Sequence, residues 1–262
     1  MGRSNIKAIF KRKLALPIAL CAAVVVLGGA LGLRAGLASP TAAAREIPIY
    51  CVDRDDKVLS ISFDAAWGDE DTDEILSALS EAGVKATFFL VGEWVDKYPH
   101  RVKQIFEAGH EIQNHSATHP HMPKIGRDKM LSELNICSDK IEAVTGVRPI
   151  LFRPPYGDYS NDVIEVARGT GLYTIQWDVD SLDWKDLTAG QIYDRVVPKV
   201  GPGSIVLFHN GGKHTAESLP AILSELKSQG YTFLTISELI YKDNYTVDHT
   251  GRQLPRTGEN AG

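Results

Sequence analysis

KVLSISFDAAWGDEDTDEILSALSEAGVKATFFLV, residues 57–91, is the stretch from which the architecture can be read. Lys57–Phe63 (KVLSISF) alternates apolar and polar residues and predicts a strand. The Asp-Thr-Asp-Glu run after Gly68 opens a helix that lasts to about Ala82, and Gly83 stops it. Ala86–Val91 (ATFFLV) is a second strand. Strand, helix and strand in one short run make a βαβ unit, whose two strands must lie parallel.

The same alternation continues. A helix is expected from Pro99 to Ala108, a strand at Glu111–Asn114, and a long helix from Asp128 to Thr145. Leu151–Arg153 is a short strand, followed by a helix from Asn161 to Thr170 and a strand at Tyr173–Trp177. Helix Ala189–Lys199, strand Ser204–Phe208 (SIVLF), helix Glu217–Gln229 and strand Thr232–Leu234 complete the series. This is an α/β chain with a parallel sheet, and about seven units fit an irregular barrel better than an open sheet. There is no internal repeat.

The composition agrees with one large folded body. Of 262 residues, 44% are hydrophobic and 23% charged, which excludes a disordered or collagen-like chain. The net charge of −5 conceals an asymmetry: Arg3, Lys7, Lys11, Arg12 and Lys13 are basic, and no acidic residue precedes Arg45. Without those five, 23 basic residues face 33 acidic ones, a net of −10, so no nucleic-acid role is expected. From Leu14 to Leu33 the chain carries no charge, and about 20 such residues span the ~30 Å hydrocarbon core. The basic flank assigns residues 1–13 to the cytoplasm and all that follows the span to the other side.

The expected organisation is therefore a basic N-terminus (1–13), a single transmembrane anchor (14–33), an Ala-rich tether (34–46), a folded α/β domain (47–242) and a polar tail (243–262). A secreted protein would result if the segment were cleaved after Leu37-Ala38 or Ala42-Ala43-Ala44. The span exceeds the ~7–15 residues of a signal-peptide core, which favours the anchor. Cys51 and Cys137 then lie in an oxidising compartment, where they either pair or remain two separately buried thiols. No sequence feature points to a protein partner.

Chemistry-bearing residues recur just after predicted strands. Asp64 ends the first, His115 and His119 follow Glu111–Asn114, and Arg153 closes its strand before Pro154-Pro155-Tyr156-Gly157. Asp178, Asp180 and Asp183-Trp184 follow Tyr173–Trp177, and His209 follows Ser204–Phe208. The carboxyl ends of parallel strands face one cleft, so these side chains should converge. Each alone has a plain structural explanation, such as a helix cap for an Asp; five together are harder to dismiss.

His115 and His119, four apart, share one side if the segment turns helically, and two His with a carboxylate form a common catalytic zinc shell. Asp64 is a candidate base for a bound water, with Arg153 holding it ionised. His209 is a candidate acid, with Asp183 setting its tautomer and pKa. Trp184 and Tyr156 offer walls for a sugar ring, or are core aromatics. The set describes hydrolysis of an ester-like or amide bond.

In order, S-F-D at 62–64, H-S-A-T-H at 115–119, R-P-P-Y-G at 153–157, D-S-L-D-W at 180–184 and L-F-H at 207–209 resemble the polysaccharide deacetylases. These are the NodB-homology proteins, or carbohydrate esterase family 4. The resemblance covers residues 57–241 and implies a distorted (β/α) barrel, a divalent metal such as zinc, and removal of N- or O-acetyl groups from chitin, peptidoglycan or xylan, of which peptidoglycan is the expected polymer here. It implies Asp64 as base, Arg153 as its tether, His209 as acid with Asp183 as partner, and His115 and His119 as metal ligands. Pro154, Tyr156 and Trp184 fall at the substrate groove.

One departure stands out. The family's first motif reads F-D-D-G, its second Asp binding the metal, whereas this chain reads Phe63-Asp64-Ala65-Ala66-Trp67-Gly68-Asp69. The lengthened loop resembles sporulation-associated and clostridial cell-wall deacetylases. Asp69 is the candidate replacement ligand and Asp71 a lesser one; alternatively both only load the first turn of a helix with favourable charge. The change also leaves room for a weak or inactive glycan-binding relative in spore or wall assembly. Finally, Leu254-Pro255-Arg256-Thr257-Gly258 resembles a sortase signal but lacks a following apolar span, so attachment is expected through Leu14–Leu33 and not through Thr257.

Overall fold

A short strand, β1 (Cys51–Val52), precedes the central one, β2 (Val58–Ala65), which is buried along its whole length. Its period-2 alternation explains the KVLSISF pattern: Leu59, Ile61 and Phe63 pack into the main hydrophobic layer, while Ser60, Ser62 and Asp64 take the other face. Helix α1 (Thr72–Ala82) carries Asp73 and Glu74 at its positive end and stops at Gly83, whose φ of 64° is the left-handed conformation that glycine adopts without strain. Ile75, Leu76 and Leu79 form its buried stripe.

The computed structural model describes residues 44–256. The expected cytoplasmic segment and the Leu14–Leu33 anchor lie outside the described residues, as does most of the 34–46 tether. Among the described residues no helix is long and apolar enough to cross a membrane.

After α1 come β3 (Thr87–Leu90), α2 (Gly92–Lys97), α3 (Pro99–Glu107), β4 (Glu111–Asn114) and the long α4 (Arg127–Thr145). Next are β5 (Leu151–Phe152), α5 (Asn161–Gly169), β6 (Tyr173–Thr174), β7 (Val179–Asp180) and α6 (Ala189–Val196), the last opened by a Thr188/Gln191 capping box. Strand β8 (Ser204–His209), α7 (Thr215–Ser228), β9 (Thr232–Phe233), α8 (Ile236–Leu239), β10 (Tyr245–Val247) and β11 (Arg252–Pro255) complete the fold.

Seven strands lie side by side in the order β7-β8-β2-β3-β4-β5-β6, all parallel, with β9 added beside β2. The result is an α/β half-barrel. Between β6 and β7 the chain leaves the ladder, because Ile175 bridges to Ile49 and the Asp178 N–H turns to the Ile205 carbonyl. That is why the strand expected over Tyr173–Trp177 is short. Phe63 stacks on Phe88 and Phe208 between the sheet and its helices. A second apolar cluster, including Phe89, Leu151, Ile175 and Ile205, packs on the opposite face of the sheet.

The C-terminal region departs from the polar tail expected over 243–262. Strands β10 and β11 form an antiparallel hairpin, and β11 pairs with β1, which itself lies antiparallel on β8. The composition reads as a tail because the hairpin buries little besides Gln253, whose side-chain amide both donates to and accepts from the Tyr241 backbone. A buried amide satisfied in this way carries no apolar signature in the sequence. Leu254 and Pro255 belong to this hairpin, while Thr257 lies outside the described residues. Cys51 and Cys137 are both free and buried, so the open alternative resolves to two separate thiols.

Candidate active site

Strand register brings the first pair together. Asp64 on β2 and His209 on β8 are direct partners across the parallel ladder. Arg153, just beyond β5, is fully buried and donates from Nη1 to Asp64 Oδ1 at 2.7 Å. Its Nη2 donates to Ser62 Oγ at 2.9 Å and to the Gln176 carbonyl at 3.2 Å, and the guanidinium lies 4.2 Å from the centre of the Phe89 ring. The alternation of β2, which turns Ser62 and Asp64 to the same side, is what lets one guanidinium reach both. Burial by itself would raise the Asp64 carboxyl, but the charges of Arg153, His115 and His209 outweigh it and hold its pKa below the usual range.

His209 is paired just as closely. Its Nδ1–H donates to Asp183 Oδ1 at 2.8 Å, which leaves Nε2 for the cleft. Asp183, fully buried, also accepts from the His209 and Trp184 backbone N–H groups and from Thr215 Oγ1. Burial disfavours the imidazolium, yet the hydrogen bond to Asp183 and its charge prevail and raise the His209 pKa. A carboxylate and an imidazole thus stand side by side, each fixed by a buried partner of opposite charge.

His115 and His119 also converge, though not by a helix. Residues 115–119 form a loop in which Ser116 and His119 have φ of 69° and 57°, and the two rings meet edge-on at 4.9 Å. Asn114 Oδ1 accepts the Ser116 N–H, Ser116 Oγ accepts the His119 N–H, and buried Glu133 accepts from Thr118. His115 Nδ1–H donates to the Arg153 carbonyl at 2.7 Å, so Nε2 presents a lone pair 3.5 Å from Asp64 Oδ2. Burial and the neighbouring His115 push the His119 pKa down to about 4, keeping that ring neutral. Tyr156, Leu182 and Asp186, in the adjoining loops, have positive φ as well. Such backbone strain collects where surrounding structure enforces a geometry.

These groups open into a cavity of about 370 Å³ that also takes in Trp67, Tyr156, Trp177, Asp180 and Trp184. Trp184, Tyr156 and Trp67 are 55–58% exposed at its mouth, so the two expected aromatics are surface walls and not core residues. Pro154 is buried behind Tyr156 in the chain and does not line the cavity. Asp178 is structural: its carboxylate accepts from Ser204 Oγ and the Ile205 N–H. A larger cavity, about 600 Å³, lies between residues 45–49 and Tyr245–His249 and shares none of these side chains.

Asp69 does not join the histidines. Its Oδ2 accepts from Arg101 Nε at 2.8 Å, which turns the carboxylate toward α3. Asp71 is drawn to the Gly211 N–H at 2.9 Å and faces a different cavity. Ala65 belongs to the helix-facing layer, and Ala66, which does line the cavity, has no donor atom. Among the described residues no three His, Cys, Asp or Glu side chains are arranged to hold an ion. His115, its Nδ1–H held by the Arg153 carbonyl, has the free Nε2 and fixed tautomer that a metal ligand needs, and the His119 ring lies against it, but a shell of these two His and a carboxylate from the 69–71 loop is not formed.

Residues 52–175 match the polysaccharide deacetylase family. The chain is 36% identical over 193 residues to YlxY of Bacillus subtilis, covering 74% of this chain and 60% of that protein. It is 34% identical over 194 residues to a peptidoglycan-N-acetylglucosamine deacetylase of Bacillus cereus, covering 72% of this chain and 91% of that one. This chain belongs to the polysaccharide deacetylase family. The family hydrolyses N-acetyl amide bonds and generally depends on metal. Among solved structures, BA3943 of Bacillus anthracis, described as a carbohydrate esterase family 4 pseudoenzyme, superimposes with a TM-score of 0.71. It is 38% identical, over 73% of this chain and 68% of that one. A BA3943 mutant is described as having restored enzymatic activity.

Reasoning from sequence missed Trp67 and Asn210. Asn210 is 4% exposed and donates to the carbonyls of Trp67 and Gly68. Trp67 stands in the very loop that departs from the family motif, which was its one available signal.

Proposed function

We propose that this polysaccharide deacetylase removes acetyl groups from N-acetylated cell-wall sugar, with peptidoglycan as the polymer, on the outer face of a membrane to which Leu14–Leu33 anchors it. The observation that carries the reading is the pair of buried couples, Asp64 with Arg153 and His209 with Asp183, set side by side at the floor of an aromatic cleft. Binding a glycan does not require a fixed base and a fixed acid.

In this mechanism the N-acetyl group enters between Trp184 and Tyr156 and the floor of the cleft. Asp64, kept ionised by Arg153, takes a proton from the attacking water as its oxygen bonds to the acetyl carbon. His209, its Nδ1–H held by Asp183, delivers a proton from Nε2 to the amide nitrogen as the C–N bond breaks, giving acetate and a free amine. His115 and His119 face the same space as neutral rings. No carboxylate joins them to complete a metal shell among the described residues.

A second reading is favoured by the same missing carboxylate: a glycan-binding protein of spore or wall assembly that turns over slowly or not at all. The resemblance to a pseudoenzyme supports it. Acetate release from purified peptidoglycan, measured with and without added zinc and with a chelator, separates the two. Release that depends on Asp64 and His209 upholds the deacetylase; glycan retention without release upholds the binding protein. Membrane fractionation of the full-length protein tests the anchor, and a soluble form starting near Ser39 or Arg45 would refute it.

A further inference from the structure

The lengthened first-motif loop is pinned far more firmly than an exposed loop needs to be. Trp94, 2% exposed, donates from Nε1 to the carbonyls of both Trp67 and Gly68 at 2.8 Å. Asn210 Nδ2 donates to the same two carbonyls at 3.0 and 2.5 Å. Asp71 Oδ2 accepts the Gly211 N–H, and Arg101 holds Asp69. Two adjacent carbonyls thus receive two donors each, and yet the indole between these anchors is 58% exposed. One exposed ring is ordinary, but Trp67, Tyr156 and Trp184 all stand exposed around one cavity, and such a cluster marks a surface for a partner.

Its position says which partner. Trp67 meets His119 edge-on at 5.8 Å and so borders the catalytic cavity. It also lines an adjoining cavity of about 270 Å³, formed with Trp184, Asp186 and the loop from Asn210 to Lys213. Trp67, Trp184 and His209 are common to both cavities. A chain of sugar rings passing from one to the other must cross the two indoles.

We propose that Trp67 is a sugar-stacking residue, through which the loop that gave up a carboxylate supplies an aromatic wall for the ring next to the one being acted on. The inference rests on the glycan reading above and deepens it: the ligand is a polymer of N-acetylated hexosamines gripped on consecutive rings, not a single sugar. Because the backbone is already fixed, little loop entropy is lost when the indole engages a flat sugar face.

The test is titration calorimetry of the full chain in detergent, with N-acetylglucosamine and its tetramer as probes and acetate release followed in parallel. Trp67→Ala should weaken tetramer binding by roughly 10- to 100-fold, as truncation of a central interface aromatic does, and weaken binding of the single sugar far less. Trp67→Phe should keep most of the tetramer affinity and Trp67→Leu, apolar but not flat, should lose it. Tetramer affinities that are equal in wild type and all three variants overturn the proposal, as does a wild type that binds the tetramer no better than the single sugar. Should the wild type bind the tetramer through Trp67 and release no acetate, the deacetylase reading falls and the stacking role stands.

Discussion

The Arg153–Asp64 couple is the most demanding feature of the fold, and removing one partner should show it. Arg153→Met keeps much of the apolar stem but strands the Asp64 carboxylate, which is 5% exposed, beside His115. At an effective dielectric of ~20, unit charges about 4 Å apart attract by about 4 kcal/mol, and most of that offsets the cost of taking both from water. Breaking a buried pair leaves that cost uncompensated, so Arg153→Met should lose about 3–5 kcal/mol. For a domain of this size the melting temperature should fall by about 6–20 °C. Asp64→Asn strands the guanidinium in turn and should also destabilise. The double variant removes both charges, and its loss should be smaller than the two single losses combined by about 2 kcal/mol or more. Urea denaturation of the four proteins at pH 7 measures the cycle. Losses that add to within about 0.5 kcal/mol would refute the coupling and, with it, the argument that Arg153 keeps Asp64 ionised.

Three further outcomes are expected. Asp64→Asn and His209→Ala should each lower kcat by about 10²–10⁴-fold while glycan binding changes little, so wild-type acetate release in both would sink the assigned roles. Zinc affinity, followed by equilibrium dialysis, should be unaffected by Asp69→Asn, lost in His115→Ala, and raised about tenfold or more by Ala66→Asp, which sets a carboxylate in the cavity; a strong loss in Asp69→Asn would show that the Arg101 pairing yields to the ion. His110 accepts the Ala86 N–H, and burial followed by the charge of Lys85 pushes its pKa down to about 4. The unfolded chain therefore binds a proton that the native state refuses, so stability is full above about pH 6.5 and falls by up to about 3 kcal/mol as pH drops toward 4. His110→Gln should make the melting profile less steep over that window, where His119 also titrates, and identical profiles would contradict the assignment.

Local patterning was enough to order the elements of this fold. The alternation of 57–63, the acidic helix start, the Gly83 stop and the apolar run at 86–91 are properties of neighbours in the chain, and they force parallel strands whose carboxyl ends share a face. Asp64, His115, Arg153, Asp183 and His209 could be placed at one cleft on that ground alone. What tertiary structure decided were matters of distant partners. Asp69 could be read as a ligand until Arg101, a residue of another helix, was seen to hold it. His115 and His119 meet through a strained loop and not through the helical spacing they suggest. Cys51 and Cys137 could pair in the sequence and do not in space, and the polar C-terminal residues make strands only because β1 offers them an edge. Trp67 shows the limit most clearly: one indole in a lengthened loop has no meaning in sequence, and it acquires one when Trp94 and Asn210, from other parts of the chain, fix its backbone at the rim of the site.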